Sequence, residues 1–169
     1  MSNQVPSDKI NWDQKKFPLL VIVENIHSPA NVGLIIRTCE AFGVSEIHFL
    51  GPYSNVHSDK FKKAARSAEK YIDIIIEQET EVQLNKIHER GYQIIALEIA
   101  DQSKPLHKLI LGTQEKIALL LGSERHGISP ESLLLADHSI HIQQYGRTGS
   151  LNVGTALSIA LYEITNQLK

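Results

Sequence analysis

Short aliphatic runs alternate along the chain with longer segments of helical period. Residues 19–23 (LLVIV) form a continuous apolar run stopped by Glu24 and Asn25, the pattern of a strand buried on both faces. The spacing that follows predicts a helix over 31–42. Val32, Ile35, Ile36, Cys39 and Phe42 share one face of it, Arg37 and Glu40 point elsewhere, and Gly43 closes it. Further strands are expected at 46–50, 72–76, 93–97, 117–121 and 139–142. A helix over 80–90 ends at Gly91, and a second opens with Ser129 as N-cap and Pro130 at its first position. A last helix after residue 149 carries Val153, Leu157, Ala160, Leu161, Ile164 and Leu168 on one side. Strands separated by helices predict an α/β fold, a mainly parallel sheet flanked by helices. One domain is expected over 17–169, with residues 1–16 as a loosely ordered arm.

Composition narrows this without changing it. The 169 residues are 42% hydrophobic, enough for a core and against disorder. The single cysteine, Cys39, excludes an internal disulfide framework and a multi-cysteine zinc site, and reads as core filler on an apolar stripe. His138 and His141 stand three apart in a strand, hence on opposite faces, and no metal site is expected. No apolar run approaches the ~18 residues that span a bilayer, and the polar opening MSNQVPSDKINW lacks a signal core. A soluble cytoplasmic protein with no membrane partner is the expectation. The formal net charge of −2 argues, taken alone, against nucleic acid.

Candidate chemistry gathers where such sheets bind ligands, beyond the carboxyl ends of the strands. Three polar clusters fall there: 24–37, 122–127 and 143–152. A dinucleotide site does not fit, because HSPANVG (27–33) stands where G-x-G-x-x-G would follow the first strand. No G-x-x-x-x-G-K-[ST] occurs, and the Gly146 and Gly149 pair is a weak phosphate signal.

NVGLIIRTCEAFGV (31–44) resembles the first motif of the SpoU/TrmH RNA 2′-O-ribose methyltransferases of the SPOUT superfamily. LLGSERHGIS (120–129) is similar to their second motif, and IHIQ (140–143) with SLNVGTA (150–156) to their third. KAARSAEKYI (63–72) looks like a further segment of the tRNA-modifying members. The likeness spans about 18–166 in family order. It implies methyl transfer from S-adenosyl-L-methionine, a deep trefoil knot formed from about 117–160, and a homodimer packed through the first and last helices.

By the same resemblance Arg37 matches the catalytic arginine. A guanidinium with a pKa above about 12 is a very poor base, which favours a donor that fixes a phosphate and stabilises the developing oxyanion; direct proton acceptance stays open. Asn31 is explained as a cap of the first helix, and the resemblance adds a role in holding the arginine. Glu124 is expected to accept hydrogen bonds from Arg37. Ser150 and Asn152 are ordinary residues for a helix start, and the resemblance adds them to the catalytic pocket. Leu97, Gly122, Ile142 and Leu151 match positions that hold the adenosine part of the cofactor. The segment at 143–145 departs from the proline- and methionine-containing turn usual there, and His126 from the usual small or acidic residue; His126 is read as exposed.

Lys60, Lys63, Arg66 and Lys70, with Lys62, read either as a solvated face or, with Arg125 and Arg147, as a phosphate-binding surface; Lys15 and Lys16 could add to it. A dimer can gather such residues into a positive groove despite the overall charge. The partner implied is RNA, tRNA over rRNA. So short a chain leaves RNA affinity either to the dimer surface or to an accessory protein. The rival readings are an rRNA methyltransferase, a base methyltransferase and a non-catalytic RNA-binding relative.

Overall fold

The computed structural model describes residues 9–11, 13–52, 58–113 and 115–169. Among the described residues seven strands form one sheet: β1 (Leu19–Glu24), β2 (Glu46–Leu50), β3 (Asp73–Glu77), β4 (Gln93–Leu97), β5 (Lys104–Pro105), β6 (Ile117–Leu121) and β7 (His138–His141). Their order is β3-β2-β1-β6-β4-β7-β5, and every pairing is parallel. The α-helices among the described residues are α1 (Pro29–Ala41), α2 (Asp59–Ala65), α3 (Thr80–Glu89), α4 (Pro130–Leu134) and α5 (Val153–Gln167).

The central strands show why the apolar runs are unbroken. Leu19, Val21 and Val23 of β1 join one core cluster with α1, α2 and α5, while Leu20 and Ile22 join the other with α3. Strand β6 divides in the same way, Ile117, Leu119 and Leu121 against Ala118 and Leu120. Each such side chain, fully removed from water, stabilises by roughly 1.5–3 kcal/mol when it is a Val, Leu or Ile. On α1 the expected face of Val32, Ile35, Ile36 and Cys39 is buried. Burial pushes the Cys39 thiol far up, the state of an inert core residue.

Several elements differ from their sequence signals. Helix α1 starts at Pro29, and its N-cap is Ser28, whose side chain accepts from the Asn31 N–H. Asn31 is therefore in the first turn and is not the cap, because Pro29 sets the first helical position and leaves Ser28 extended. Strand β3 is shifted by one residue, and β7 by one in the other direction. The basic stretch contains α2, capped by Ser58. It lies so close to α1 that a Cβ on Gly33 would come within 2.7 Å of the Phe61 carbonyl oxygen. Strand β5 exists only through its pairing with β7.

Of the expected arm, residues 1–8 and 12 lie outside the described residues. Its end is fastened: Lys16 Nζ donates to the carbonyls of Val44 and Tyr71, at 3.0 and 3.3 Å, so this lysine is engaged within its own chain. Away from the polar loops, His48 is fully buried on β2, with Nδ1 facing Gln83 Nε2 at 2.9 Å and Nε2 facing Glu46 at 3.1 Å. Burial lowers its pKa, with Glu46 opposing in part. Arg90 closes the network with two bonds to Glu46.

Candidate active site

Strands β1, β6, β4 and β7 all end on one side of the sheet, and a cavity of about 490 Å³ opens there. That volume lies within the ~300–1,000 Å³ of small-molecule sites. Leu97, Gly122, Ile142 and Leu151, the four residues expected to hold a cofactor, all line it. So do Asn31, Glu124, Ser150 and Asn152, and Arg125 among the expected RNA contacts.

Three of the polar residues form one hydrogen-bonded chain. Asn152 is the N-cap of α5, its Oδ1 accepting from the N–H groups of Gly154 and Thr155. Its Nδ2 donates to Asn31 Oδ1 at 3.1 Å. Asn31 Nδ2 donates in turn to Glu124 Oε1 at 2.9 Å. Glu124 also accepts from the backbone N–H groups of Ser28 and His27, at 3.0 and 3.2 Å. Partial burial raises the Glu124 pKa, but the hydrogen bonds from Asn31, its own N–H, His27 and Ser28 outweigh it and hold the carboxylate below its ordinary range. The amino ends of α1 and α5 and the loop after β6 are thus locked together by side chains that the motifs had singled out.

Arg37 departs from expectation. It is exposed on α1, lies outside the cavity lining, and its side chain makes no hydrogen bond or ion pair among the described residues. Six residues beyond Asn31, it stands about 9 Å further along the helix axis and about 120° around it. Glu124 accepts from Asn31 and backbone N–H groups rather than from Arg37.

The loop at 122–128 has little freedom. Ser123 and Gly127 exchange two backbone hydrogen bonds, and His126 N–H donates to Ser123 Oγ. A Cβ on Gly122 would fall onto the Gly127 carbonyl carbon and the Ile128 nitrogen. Glu24, buried at the end of β1, accepts from Ser129 N–H and Ser132 Oγ and so anchors α4. Glu98, one residue past β4, accepts from the N–H groups of Ile99 and Ile128. The sequence marks Glu24 only as the stop of an apolar run and the edge of the 24–37 cluster and gives Glu98 no role; the available signal was a carboxylate directly at the end of a buried strand.

His126 is exposed, as expected, and Tyr145 is 92% exposed. Lys60 and Lys63 on α2, Arg66 at its C-cap and Lys70 in the 3-10 turn Ala68–Lys70 are all exposed. They lie on a segment packed against α1, and Arg147 is exposed on the loop between β7 and α5.

This arrangement, a parallel sheet with three polar loops around one cavity, has known counterparts. The model of the SpoU rRNA Methylase family matches residues 18–162. The chain belongs to that family. It is 31% identical over 149 residues to a tRNA (guanosine(18)-2′-O)-methyltransferase of Thermus thermophilus, covering 88% of this chain and 75% of that one. It resembles the crystal structure of the A. aeolicus TrmH/SpoU tRNA-modifying enzyme with a TM-score of 0.80 and 28% identity, over 91% of this chain and 77% of the other. An AdoMet-bound rRNA methyltransferase from Sinorhizobium meliloti superposes with a TM-score of 0.83 at 27% identity, over 92% of this chain and 59% of the other. As a member of the SpoU family the chain is an RNA methyltransferase.

The cavity fits S-adenosyl-L-methionine. Leu97, Leu121, Ile142, Leu151 and Val153 offer apolar walls for a purine, and Glu98 and Glu124 offer carboxylates suited to a cationic, hydroxyl-bearing ligand.

Proposed function

We propose that this chain methylates a ribose 2′-hydroxyl of tRNA with S-adenosyl-L-methionine as donor, working in the cytoplasm as a homodimer. The observation that carries the reading is the Asn152–Asn31–Glu124 chain on the rim of a cavity whose walls include all four expected cofactor residues. Bound S-adenosyl-L-methionine supplies a methyl group already activated on a sulfonium. Leu97, Ile142 and Leu151 hold its adenosine part, with backbone contacts from Gly122. The locked Asn31 and Asn152 fix the rim, and Ser150, exposed beside them, orients the target ribose.

As the 2′-oxygen bonds to the methyl carbon the carbon–sulfur bond breaks, S-adenosylhomocysteine leaves and the hydroxyl proton passes to solvent; Arg37 donates to an RNA phosphate and to the 2′-oxygen as it gains charge. Its place outside its own cavity supports a site completed by Arg37 of a second copy. The exposed faces of α1 and α5 support that assembly. On α5, Thr155, Ile159 and Tyr162 recur at helical spacing, with Ile159 41% and Tyr162 62% exposed. The sheet order, with β6 between β1 and β4, and family membership support a trefoil knot through 117–160. In the dimer Lys60, Lys63, Arg66, Lys70, Arg125 and Arg147 form the phosphate-binding surface.

The test is transfer of labelled methyl from S-adenosyl-L-methionine to tRNA, with guanosine 18 the first position mapped because the Thermus relative is named for it. Arg37→Ala is expected to lower turnover by about 100-fold or more while S-adenosylhomocysteine binding stays unchanged. Wild-type protein that binds S-adenosylhomocysteine and tRNA yet transfers nothing to any RNA would sink the enzyme reading. A monomeric mass by light scattering would sink the shared site.

A further inference from the structure

The mechanism leaves one pocket carboxylate unused. Glu98 follows β4, a strand flanked by β6 and β7, and lines the cavity. Its Oε1 accepts from the Ile99 N–H at 2.9 Å and its Oε2 from the Ile128 N–H at 3.1 Å. The first bond ties it to the turn leaving β4, the second to the loop after β6. Gly127, at φ +67°, makes room for it, because a Cβ there would run into the Glu98 carboxylate. The side chain is therefore held from two walls and cannot swing out of the cavity without breaking both.

A carboxylate offers about four acceptor positions on its two oxygens. The two backbone bonds use one on each oxygen, which leaves one on each. Glu124, the other carboxylate of the lining, is already committed to its own N–H and to the donors of His27, Ser28 and Asn31, on the side assigned above to the RNA ribose. Glu98 instead follows Leu97 directly, and its own N–H donates to the carbonyl of Ile140, two residues before Ile142. It thus stands among the residues assigned to the adenosine part.

Two acceptors on one immobile carboxylate match a vicinal diol, for the reason that an acidic residue beyond a strand end reads ribose hydroxyls in dinucleotide folds. We propose that Glu98 binds the ribose 2′- and 3′-hydroxyls of the bound cofactor, one hydroxyl to each oxygen. This rests on the proposed function for the identity of the ligand. It makes Glu98 a residue that selects a ribonucleoside donor, its aim set in advance by the Ile99 and Ile128 bonds.

The experiment is calorimetric binding of S-adenosylhomocysteine and its 2′-deoxy analogue to the full chain. Wild-type protein is expected to bind the deoxy analogue about 10- to 100-fold more weakly, the range for losing a hydrogen bond to a charged group. In Glu98→Gln the parent ligand should weaken and the deoxy penalty should shrink to within about threefold, since an amide presents one acceptor oxygen that Ile128 already claims. General loosening of the loop weakens both ligands alike and leaves their ratio untouched. Glu98→Asp, which keeps the charge but withdraws it by one methylene, should lose the same discrimination and serves if the glutamine variant does not fold. An undiminished penalty in these variants would overturn the assignment while leaving the cofactor reading intact. Failure of wild-type protein to bind S-adenosylhomocysteine at all would remove both.

Discussion

Two loops contribute to the cavity lining, and they are built in opposite ways. The loop at 122–128 is tied at almost every residue. It carries the paired Ser123 and Gly127 backbone bonds, the Glu98 bond to Ile128, the Glu24 bond to Ser129 next in sequence, and the three donors to Glu124. The loop at 143–150 has one internal side-chain bond, Gln143 Nε2 to the Gln144 carbonyl at 3.3 Å, and is exposed except at Gln144. One wall of the site is set before any ligand arrives, and the other is free to adapt. A preformed wall saves the ordering cost of binding, whereas an adaptable wall spends some affinity to close over the ligand and release it afterwards.

The contrast breaks most visibly at the glycines. Gly122 has backbone where a Cβ would stand, so Gly122→Ala forces the whole loop apart. We expect a loss of about 2–4 kcal/mol in stability by denaturant unfolding, with S-adenosylhomocysteine binding abolished. A folded, binding-competent Gly122→Ala protein would mean that the loop is not the fixed wall described.

Next in size is the anchor at Glu124. Glu124→Gln keeps the shape but loses the charge that collects the Asn31, His27 and Ser28 donors. Because the side chain is exposed, the stability cost should be only about 1 kcal/mol, while turnover falls about tenfold as the rim loosens. The pH dependence has a definite sign. The folded pKa of Glu124 is depressed, so its contribution is fully present above the unfolded value of about 4.3 and is lost only as pH falls through the folded value. His48 titrates too: with a lowered folded pKa, its neutral form favours the fold above about 6.5, and that support declines on acidification. Both proteins carry His48, so the difference between their unfolding curves from pH 7 to 3.5 isolates Glu124. The stability gap should hold from pH 7 to about 5 and close below 4; a gap that instead closes near pH 6 would assign it to another group.

The same two loops show what was legible before any coordinates. Residues 120–129 carry their constraint as residue identity, since only glycine fits at 122 and a carboxylate is required at 124, and the motif was readable. Residues 143–150 are under little local constraint, so their departure from the usual turn told nothing of their shape. Strands β1 and β6 were legible because burial on both faces leaves an unbroken apolar run. Helix α2 was not, because seven residues burying only Phe61 and Ala65 show too little period, and β5 is two residues that pairing alone makes a strand. The serine–proline start at 129–130 recurs at 28–29, where Ser28 takes the cap and frees the Asn31 side chain for Glu124. The helical period already turned Arg37 away from the apolar face, but that Glu124 would be occupied by Asn31, His27 and Ser28 depends on contacts between distant segments that no local pattern carries. Glu98 was hidden because a single carboxylate after a strand is commonplace; only its two backbone donors set it apart.

The smallest expected effect tests the adaptable wall. A Cβ on Gly146 or Gly149 meets nothing within 4 Å, and neither residue has positive φ. The double variant Gly146→Ala/Gly149→Ala should therefore change stability by no more than about 0.5 kcal/mol. Its consequence belongs to binding. Alanine narrows the backbone states open to a free loop, so less conformational freedom remains to be lost when the loop closes on a ligand. That saving, about 0.4–1 kcal/mol for a single well-placed change, corresponds to S-adenosylhomocysteine binding tightened by roughly two- to fivefold, with the gain in the dissociation rate. A stability loss comparable to that of Gly122→Ala would show that residues 143–150 are as constrained as residues 122–128. Unchanged affinity would show that the loop does not close over the ligand, leaving one wall of the site to do all the holding.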